Sequence, residues 1–359
     1  MDMTTTEQHR SATEPVRDRV NAVLAAYLDE HIRDWSIAWG GDSVGSVLRS
    51  FVLDGGKRLR PTLCYWGWRA AGGTDGEPII NVAAAVEMFH DFALVHDDVL
   101  DNSPDRRGNP TVHRAVAEAH AGNELSGDPE AHGRAVAILL GDLLMSYSDQ
   151  LLHASGFPRG RLAAAAPVWY RMREEVIAGQ YLDVRQQALG PDYEQALRVV
   201  HYKTAEYSVH RPLELGGALA GAGPELQDCY TGFGVPIGVA FQLRDDVLGM
   251  FGDPAVTGKS ASDDLREGKP TVLIALATQR ASRAQLDTLN RLHGKPDLRE
   301  PQADLLREIV RETGALATVE RLIEARTETA LHALENGPVD GEPGTALREL
   351  ATAMTRRSA

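Results

Sequence analysis

The stretch LVHDDVLDNSPDRRG, from Leu94 to Gly108, decides the fold of this 359-residue chain. Apolar residues run up to it at helical spacing, and the Asn-Ser-Pro sequence inside it is typical of a helix stop. The aspartates Asp97, Asp98 and Asp101 are therefore predicted to occupy the last turns of a helix. Carboxylates are disfavoured at that end because the helix dipole is negative there. The sequence thus predicts that something positive offsets this cost.

Helical signals also dominate the rest of the chain. Four long segments are rich in alanine and leucine, namely residues 80–100, 133–152, 162–184 and 230–251. No set of segments alternates apolar and polar residues as half-buried strands do. We therefore predict an all-α fold. Residues 15–359 should form a single domain with buried central helices, and residues 1–14 a disordered tail.

Composition limits the classes of partner. The formal net charge of −14 gives the chain no general attraction for nucleic acid or for anionic membranes. Its two cysteines, Cys64 and Cys229, form no CxxC motif, so a cytoplasmic location is expected. The N-terminus lacks the apolar core of a signal peptide, and no stretch of about 18 apolar residues predicts a membrane span. An anionic substrate would need metal ions or a local cationic cluster.

A second segment repeats the aspartate pattern. The sequence ALVHDDVLD, which ends at Asp101, has a counterpart in AFQLRDDVLG, where Asp245 and Asp246 lie and Gly249 takes the place of the third aspartate. Two helices that end in carboxylates could face each other across a cavity. Mg²⁺ favours one or two carboxylates per ion and takes phosphate oxygens as further ligands. A solvated acidic helix end is the alternative interpretation, but it explains neither the apolar context nor the duplication.

Basic residues occur in two motifs of their own and after both aspartate clusters. The motif GGKRLRP contains Lys57 and Arg60, and the segment HYKTAEY contains Lys203. The first cluster is followed by Arg106 and Arg107, and the second by Lys259 and Lys269. Arginine forks suit phosphate oxygens, and lysine supplies point charge. This arrangement predicts one diphosphate bridged by Mg²⁺ and a second diphosphate held by side chains. His90, two helical turns before Asp97, could line the same cavity or be an ordinary core histidine.

Together these motifs resemble those of the trans-isoprenyl diphosphate synthases, the polyprenyl synthetase family. DDVLDNSPDRRGNPTVH resembles the first aspartate-rich motif, FQLRDDVLGMFGDPAVTGK resembles the second, and GGKRLRP and KT resemble the other signatures. The resemblance runs from about Leu48 to the C-terminal helices. It implies an all-α bundle around a deep central cavity and a homodimer. It also implies head-to-tail condensation of isopentenyl diphosphate with an allylic diphosphate.

The resemblance further implies a role for each site residue, with about three Mg²⁺ ions on the allylic diphosphate. The metal ligands would be Asp97, Asp101 and Asp245, with Asp98 and Asp246 in support. The contacts to the allylic diphosphate would be Arg106, Lys203 and Lys259. The contacts to isopentenyl diphosphate would be Lys57, Arg60, His90 and Arg107. The residues beside the developing carbocation would be Thr204 and Gln242, with Lys269 closing the loop.

Product length is expected to depend on the helix that carries the first motif. The growing tail must run along this helix away from the metal ions, so residues one turn back from Asp97 meet it first. These are Ala93 and Phe92, with Phe89 and Met88 a further turn back. The small Ala93 and bulky Phe92 resemble the pattern of enzymes that make geranylgeranyl diphosphate (C20), with farnesyl diphosphate (C15) as the alternative. These side chains could equally be ordinary core residues.

Two other functions are alternatives. A class I terpene cyclase also uses an aspartate-rich helix, but we find no second metal motif of its Asn/Ser/Glu type, and it has no use for GGKRLRP. A non-catalytic partner subunit of another prenyl synthase would typically lack one carboxylate cluster, whereas this chain retains both. Gly249 departs from the family pattern. Our hypothesis is that activity survives because Asp245, the first aspartate of the second motif, carries the metal.

Overall fold

A computed structural model of the chain describes residues 14–35, 42–253 and 261–356. Of the predicted tail, residues 1–13 lie outside the described residues, and Glu14 already begins the first helix. The predicted ligand Lys259 also lies outside them.

The described chain is almost entirely helical, which confirms the predicted all-α fold. The helices of its first half are α1 (Glu14–Trp35), α2 (Asp42–Leu53), α3 (Leu59–Ala70), α4 (Glu77–Leu100), α5 (Val112–Gly122), α6 (Pro129–His153) and α7 (Arg159–Leu189). Those of the second half are α8 (Tyr193–Val199), a π-helix (Val200–His210), α9 (Arg211–Ala220), α10 (Pro224–Phe251), α11 (Asp263–Glu267), α12 (Val272–Arg280), α13 (Arg283–Leu292), α14 (Glu300–Glu312), α15 (Ala315–Asn336) and α16 (Gly341–Thr355). Within the described ranges the only sheet is a two-residue hairpin of β1 (Asp105–Arg106) and β2 (Asn109–Pro110).

Helix α4 lies at the centre of the larger core. Most of its residues between Ile79 and Val95 are buried, and its main neighbour is α6. The helix ends at Leu100, and Asp101 caps it, as the Asn-Ser-Pro stop signal predicts. Because this helix is buried almost all round, packing along its length positions the aspartate-bearing end.

The second aspartate-bearing helix, α10, packs against α15 and the π-helix. The π-helix runs on directly from α8 and continues into α9, and it also packs against α7. π-Helical turns are rare and often occur at functional sites, because they redirect side chains that an α-helix would place elsewhere. This one carries Lys203 and Thr204, so the KT signature lies on irregular helical backbone.

By length and composition alone, α4 and α6 are apolar enough to cross a membrane. In α4, 78% of the apolar window is buried inside the protein, and in α6 the share is 44%. Core helices of soluble proteins have the same length and composition, so the apolar character of α4 is accounted for by packing. Helix α6 leaves apolar side chains exposed, among them Ile138 and Leu139.

Candidate active site

The C-terminal end of α4 is neutralised by cations from other parts of the chain. The Lys203 ammonium lies 2.9 Å from Asp97 Oδ1 and 2.6 Å from Oδ2 of Asp183 on α7. Arg106, on the hairpin after α4, lies 2.6 Å from Asp98 Oδ1 and 3.4 Å from Asp97 Oδ2. The prediction that positive groups offset the dipole cost of these aspartates is therefore confirmed.

Asp101 lies deeper than its place at a helix end suggests. Its side chain is 3% exposed, and Oδ1 is buried without a hydrogen-bond partner among the described residues. Its other oxygen lies 3.5 Å from the ammonium of Lys269, which lies at the same distance from Asp264 Oδ1 and 2.8 Å from Glu267 Oε2. A buried carboxylate oxygen without a donor is expensive unless a cation or ligand satisfies it.

The end of α10 is linked to the π-helix by hydrogen bonds. The Thr204 hydroxyl donates to Gln242 Oε1 at 2.6 Å, and Gln242 Nε2 donates to Asp246 Oδ1 at 2.8 Å. Asp246 is buried, whereas its neighbour Asp245 is partly exposed. This chain of contacts fixes Thr204 relative to the second aspartate pair.

The pKa values of these groups follow from burial and charge. Burial alone would raise the pKa of Asp97, but Lys203 and Arg106 outweigh it and hold the pKa below its usual range. Burial, then the charge of Asp97, raises the pKa of Asp101, which Lys269 only partly offsets. Burial raises the pKa of Asp246 to about 8, and nearby carboxylates contribute to that rise. Nearby positive charge therefore compensates the burial of Asp101 and Asp246 only in part.

Asp183 belongs to this cluster, although the sequence motifs do not predict it. It shares the Lys203 ammonium with Asp97, although the two aspartates come from helices far apart in sequence. One turn before it on α7, the Gln180 side-chain amide Nε2 is buried without a partner among the described residues. In the sequence, Gln180 and Asp183 are a polar pair within the helical segment GQYLD. Their place in the site depends on packing, which the sequence pattern does not give.

Of the side chains predicted to hold isopentenyl diphosphate, Arg60 and His90 both contact Tyr207 on the π-helix. Arg60 lies over the Tyr207 ring at 5.2 Å and donates to Ser208 Oγ at 2.6 Å. His90 Nδ1 lies 2.7 Å from the hydroxyl oxygen of the same tyrosine. Burial and nearby arginines hold the pKa of His90 well below its usual value. His90 is thus a neutral, buried and hydrogen-bonded side chain. Lys57 is exposed at the adjoining loop.

Arg107 lies on the hairpin and contacts the glycine loop. Its guanidinium donates to the Gly55 carbonyl oxygen at 3.2 Å, and its backbone φ of 56° is in the left-handed region. Gly56, at φ 103°, allows this approach, since an added Cβ would lie 3.2 Å from Arg107 Nη2. The two glycines therefore let the loop and the hairpin meet.

Arg58, the residue between Lys57 and Leu59 in GGKRLRP, has a different role. Its side chain is fully buried and lies 2.7 Å from Glu87 Oε1 on α4. It also donates to the Val52 carbonyl oxygen at 2.6 Å and to Asn21 Oδ1 at 2.8 Å. These contacts fasten the glycine loop to α1, α2 and α4, and the motif thus combines a structural arginine with an exposed lysine and the partly buried Arg60.

Two cavities adjoin the site. One, of about 220 Å³, is lined by residues of both aspartate-bearing helices and of α7, α8 and the π-helix, including Asp97, Asp183, Lys203, Gln242 and Lys269. The other, of about 370 Å³, lies between α2, the hairpin and α5, and Arg106 and Arg107 line it. The hairpin therefore carries cations that border the second space, and Arg106 reaches Asp97, which lines the first.

The residues predicted to limit product length lie on α4 below Asp97. Phe92 is 7% exposed, and its ring centroid lies 5.2 Å from that of Phe89 and 4.9 Å from that of His96. Phe89 and Met88 are fully buried, and Ala93 is partly buried. Behind Phe89 lies the buried ring of Trp169, at 5.7 Å.

The donor atoms at the two helix ends are carboxylate oxygens, which are the ligands that Mg²⁺ prefers. Among the described residues, no group of three or more acidic, histidine or cysteine side chains already converges as a metal cage. The unpartnered Asp101 Oδ1 nevertheless fits a further cationic ligand. The residues present therefore fit magnesium that binds together with an anionic substrate.

Comparison with known proteins agrees with this geometry. The polyprenyl synthetase family model matches residues 42–312. The chain is 42% identical to the solved geranylgeranyl pyrophosphate synthase of Corynebacterium glutamicum, which is complexed with isoprenyl diphosphate and magnesium. That match covers 97% of this chain and 99% of the other, with a TM-score of 0.90.

Two curated relatives differ in the product that they are named for. The geranylfarnesyl diphosphate synthase of Aeropyrum pernix is 30% identical over 92% of this chain and 99% of its own. The geranylgeranyl diphosphate synthase of Saccharolobus solfataricus is 30% identical over 84% and 87%, respectively. The family model spans most of the chain, and both aspartate motifs lie within it. The chain therefore belongs to the polyprenyl synthetase family.

Proposed function

We propose that this prenyltransferase catalyses the Mg²⁺-dependent head-to-tail condensation of isopentenyl diphosphate with an allylic diphosphate, and that its main product is geranylgeranyl diphosphate. The observation that carries the proposal is the meeting of two aspartate-bearing helix ends with Lys203 and Lys269 at one cavity. A synthase needs this combination, because its substrate brings a diphosphate whose negative charge increases when it leaves.

The allylic diphosphate would bind between the two helix ends. Asp97, Asp101 and Asp245 would hold its metal ions, about three by analogy with the family, and these ions would stabilise the leaving diphosphate. Asp98 orients Arg106, and Asp246 orients Gln242, through the contacts described above. Lys203 and Arg106, and Lys259 outside the described residues, would contact the diphosphate oxygens, with Lys269 closing the loop.

The carbocation that forms would face a site that stabilises charge and excludes water. Thr204 and Gln242 are hydrogen-bonded to each other at the rim of the cavity, so their oxygen atoms are fixed near the position of the cation. Lys57, Arg60, His90 and Arg107 would hold isopentenyl diphosphate with its double bond toward that cation. The proton lost after bond formation would pass to the departed diphosphate. Such fixed charges are worth more in a water-excluded site than in bulk water.

We further propose that the enzyme is a homodimer in the cytoplasm. Helix α7 exposes Tyr170, Ile177 and Val184, which are spaced seven residues apart and so share one face. Helix α6 exposes Ile138 and Leu139. Exposed apolar patches of this kind mark interaction surfaces. Both cysteines are free, which supports a reducing compartment.

The direct test is turnover. The purified protein would be incubated with labelled isopentenyl diphosphate, Mg²⁺ and each of the C5, C10 and C15 allylic diphosphates in turn, and the dephosphorylated products would be resolved by chain length. A C20 product is expected, and chelation of magnesium should abolish it. A C15 product would keep the synthase and overturn the assigned length. Failure with every primer would favour a non-catalytic partner subunit.

A further inference from the structure

Gly249 leaves a space that another residue fills. The backbone of Gly249 does not require glycine, since its φ is not positive. A Cβ added there would lie only 2.1 Å from Asp264 Oδ2 and 3.2 Å from Asp264 Cγ. Real Cβ atoms do not approach other atoms so closely, so any side chain at position 249 would displace the Asp264 carboxylate. With the Asp264 carboxylate in this position there is no room for a side chain at residue 249, whereas the backbone there makes no demand for glycine.

Asp264 is placed between the two aspartate clusters. It lies on α11, after the second motif, and its Oδ1 is 3.5 Å from the Lys269 ammonium. The same ammonium is 3.5 Å from Asp101 Oδ2 of the first motif. Asp264 also contributes to the electrostatic environment of Asp246. One carboxylate from outside both motifs is thus close to an aspartate of each.

A second observation points to a ligand in this region. The Asp101 side chain is 97% buried, and its Oδ1 has no hydrogen-bond partner among the described residues, although Oδ2 of the same carboxylate faces Lys269. A cluster of acidic side chains that serves only as a counter-ion to one lysine would not need to bury an unsatisfied oxygen. The Lys269 contact alone therefore does not account for the cluster.

We propose that Asp264 supplies the third carboxylate that the second aspartate motif lacks. The missing side chain at Gly249 leaves the space that this carboxylate occupies. In this arrangement the carboxylate reaches the metal-binding region from α11 instead of from one turn along α10. Asp264 would act on magnesium bound with the diphosphate, directly or through a bound water. This inference rests on the proposed function, and it extends that function to a residue outside both motifs.

The first test measures metal-dependent binding without turnover. Binding of inorganic diphosphate would be followed by calorimetry as a function of Mg²⁺ concentration, with the wild type, Asp264→Asn and Asp263→Asn. Asp263 is the matched control, because it lies on the same short helix but pairs with Arg266 at 2.7 Å. We expect Asp264→Asn to raise the Mg²⁺ concentration required by roughly ten- to a hundredfold. Asp263→Asn should leave it unchanged, and equal behaviour of the two variants would overturn the proposal.

The second test moves the carboxylate back to the motif. Gly249→Asp alone would bring two carboxylates into one space and should weaken Mg²⁺-dependent binding. Gly249→Asp combined with Asp264→Ala, which removes the side-chain oxygens that a residue at 249 would meet, should restore binding to within a few-fold of the wild type. If the double variant binds as poorly as the sum of both single changes, the two positions are not interchangeable and the proposal is wrong. Circular dichroism of each variant would establish that it is folded.

A counter-ion role for Asp264 predicts a different pattern. If Asp264 only neutralises Lys269, its substitution would strengthen or preserve diphosphate binding measured without Mg²⁺ and would not alter the Mg²⁺ requirement. That result would overturn the proposal even if turnover falls. The proposed synthase activity is judged separately, by product formation in the wild type. A wild type that binds magnesium and diphosphate through Asp264 but makes no prenyl product would refute the activity alone.

Discussion

Truncation of Phe92 should lengthen the product. Phe92 is one turn before Asp97 on α4, so the tail of a growing chain would meet its ring before any other large side chain on this helix. In Phe92→Ala the next barrier is Phe89, whose ring stands against Trp169. We therefore expect the main product to shift from C20 to C25, with little material beyond it.

The size of this shift follows from the helix geometry. Phe89 and Phe92 are three residues apart, which corresponds to about 4.5 Å along the helix axis. That depth admits roughly one further isoprene unit before the tail reaches Phe89. The same truncation should destabilise the protein by about 3–5 kcal/mol, because the Phe92 side chain is 7% exposed and packs on two rings. A domain of this kind has only about 5–15 kcal/mol to lose.

The assay must therefore separate pocket depth from general loss of stability. Products would be resolved by chain length at a temperature where each variant is folded, as checked by circular dichroism. Phe157→Ala is the control, since Phe157 packs edge-on against Trp68 at 4.9 Å, away from the aspartate-bearing end of α4. It should lower stability without changing the product. Ala93→Phe should shorten the product to C15.

Three outcomes would contradict this prediction. An unchanged product distribution in Phe92→Ala would show that this ring is an ordinary core residue. An equal shift in Phe157→Ala would show that loosened packing changes the length. A product far longer than C25 in Phe92→Ala would show that Phe89 and Trp169 are not the next barrier.

Further predictions concern charge, pH and assembly. Lys203→Ala should lower the initial rate by roughly a hundredfold or more, because it removes the cation shared by two carboxylates, whereas Lys203→Arg should keep more activity. The pKa of His90 is lower in the folded protein than in the unfolded chain. Below about pH 6.5 the unfolded chain therefore binds a proton at His90 that the folded protein does not bind, and the free energy of unfolding falls as the pH drops. His90→Gln should flatten that slope, measured by denaturant titration, by up to about 1.4 kcal/mol per pH unit. Ile177→Glu should yield a monomer in light scattering, whereas Leu305→Glu, at an exposed position on α14, should not.

The fold was predictable because its signals are local. Three of these signals are the helical spacing of apolar residues, the helix stop after Asp101 and the absence of strand-like alternation. Each depends on residues that are close together in the sequence, and the described helices confirm them. The π-helix was not predictable. Residues 200–210 have ordinary helical composition, and their altered hydrogen bonding depends on packing against α7 and α10.

The site was predictable only where spacing carries the information. Aspartates four residues apart share a helix face, so the first motif could be placed from sequence. The sequence does not distinguish Arg58 from Arg60. In the structure, however, Arg58 is a buried structural arginine, and Arg60 contacts Tyr207 and Ser208. Likewise, Asp183 and Asp264 reach the cluster only through helices that return from distant parts of the chain. Such pairings depend on tertiary contacts that no local pattern encodes.

The cations that neutralise the helix ends are also the groups that would bind substrate, and this double use has a thermodynamic consequence. In the protein alone, Lys203 is paired with Asp97 and Asp183, and Lys269 with Asp101 and Asp264. Metal ions that take over these carboxylates would release both lysines to contact diphosphate oxygens. Conversely, a diphosphate that attracts the lysines would leave the carboxylates free for metal. Because coupling between two ligands is reciprocal, magnesium and diphosphate should each raise the affinity of the other. Carboxylates at the unfavourable end of a helix are thus stable only with a cation beside them, and that requirement links the two ligands.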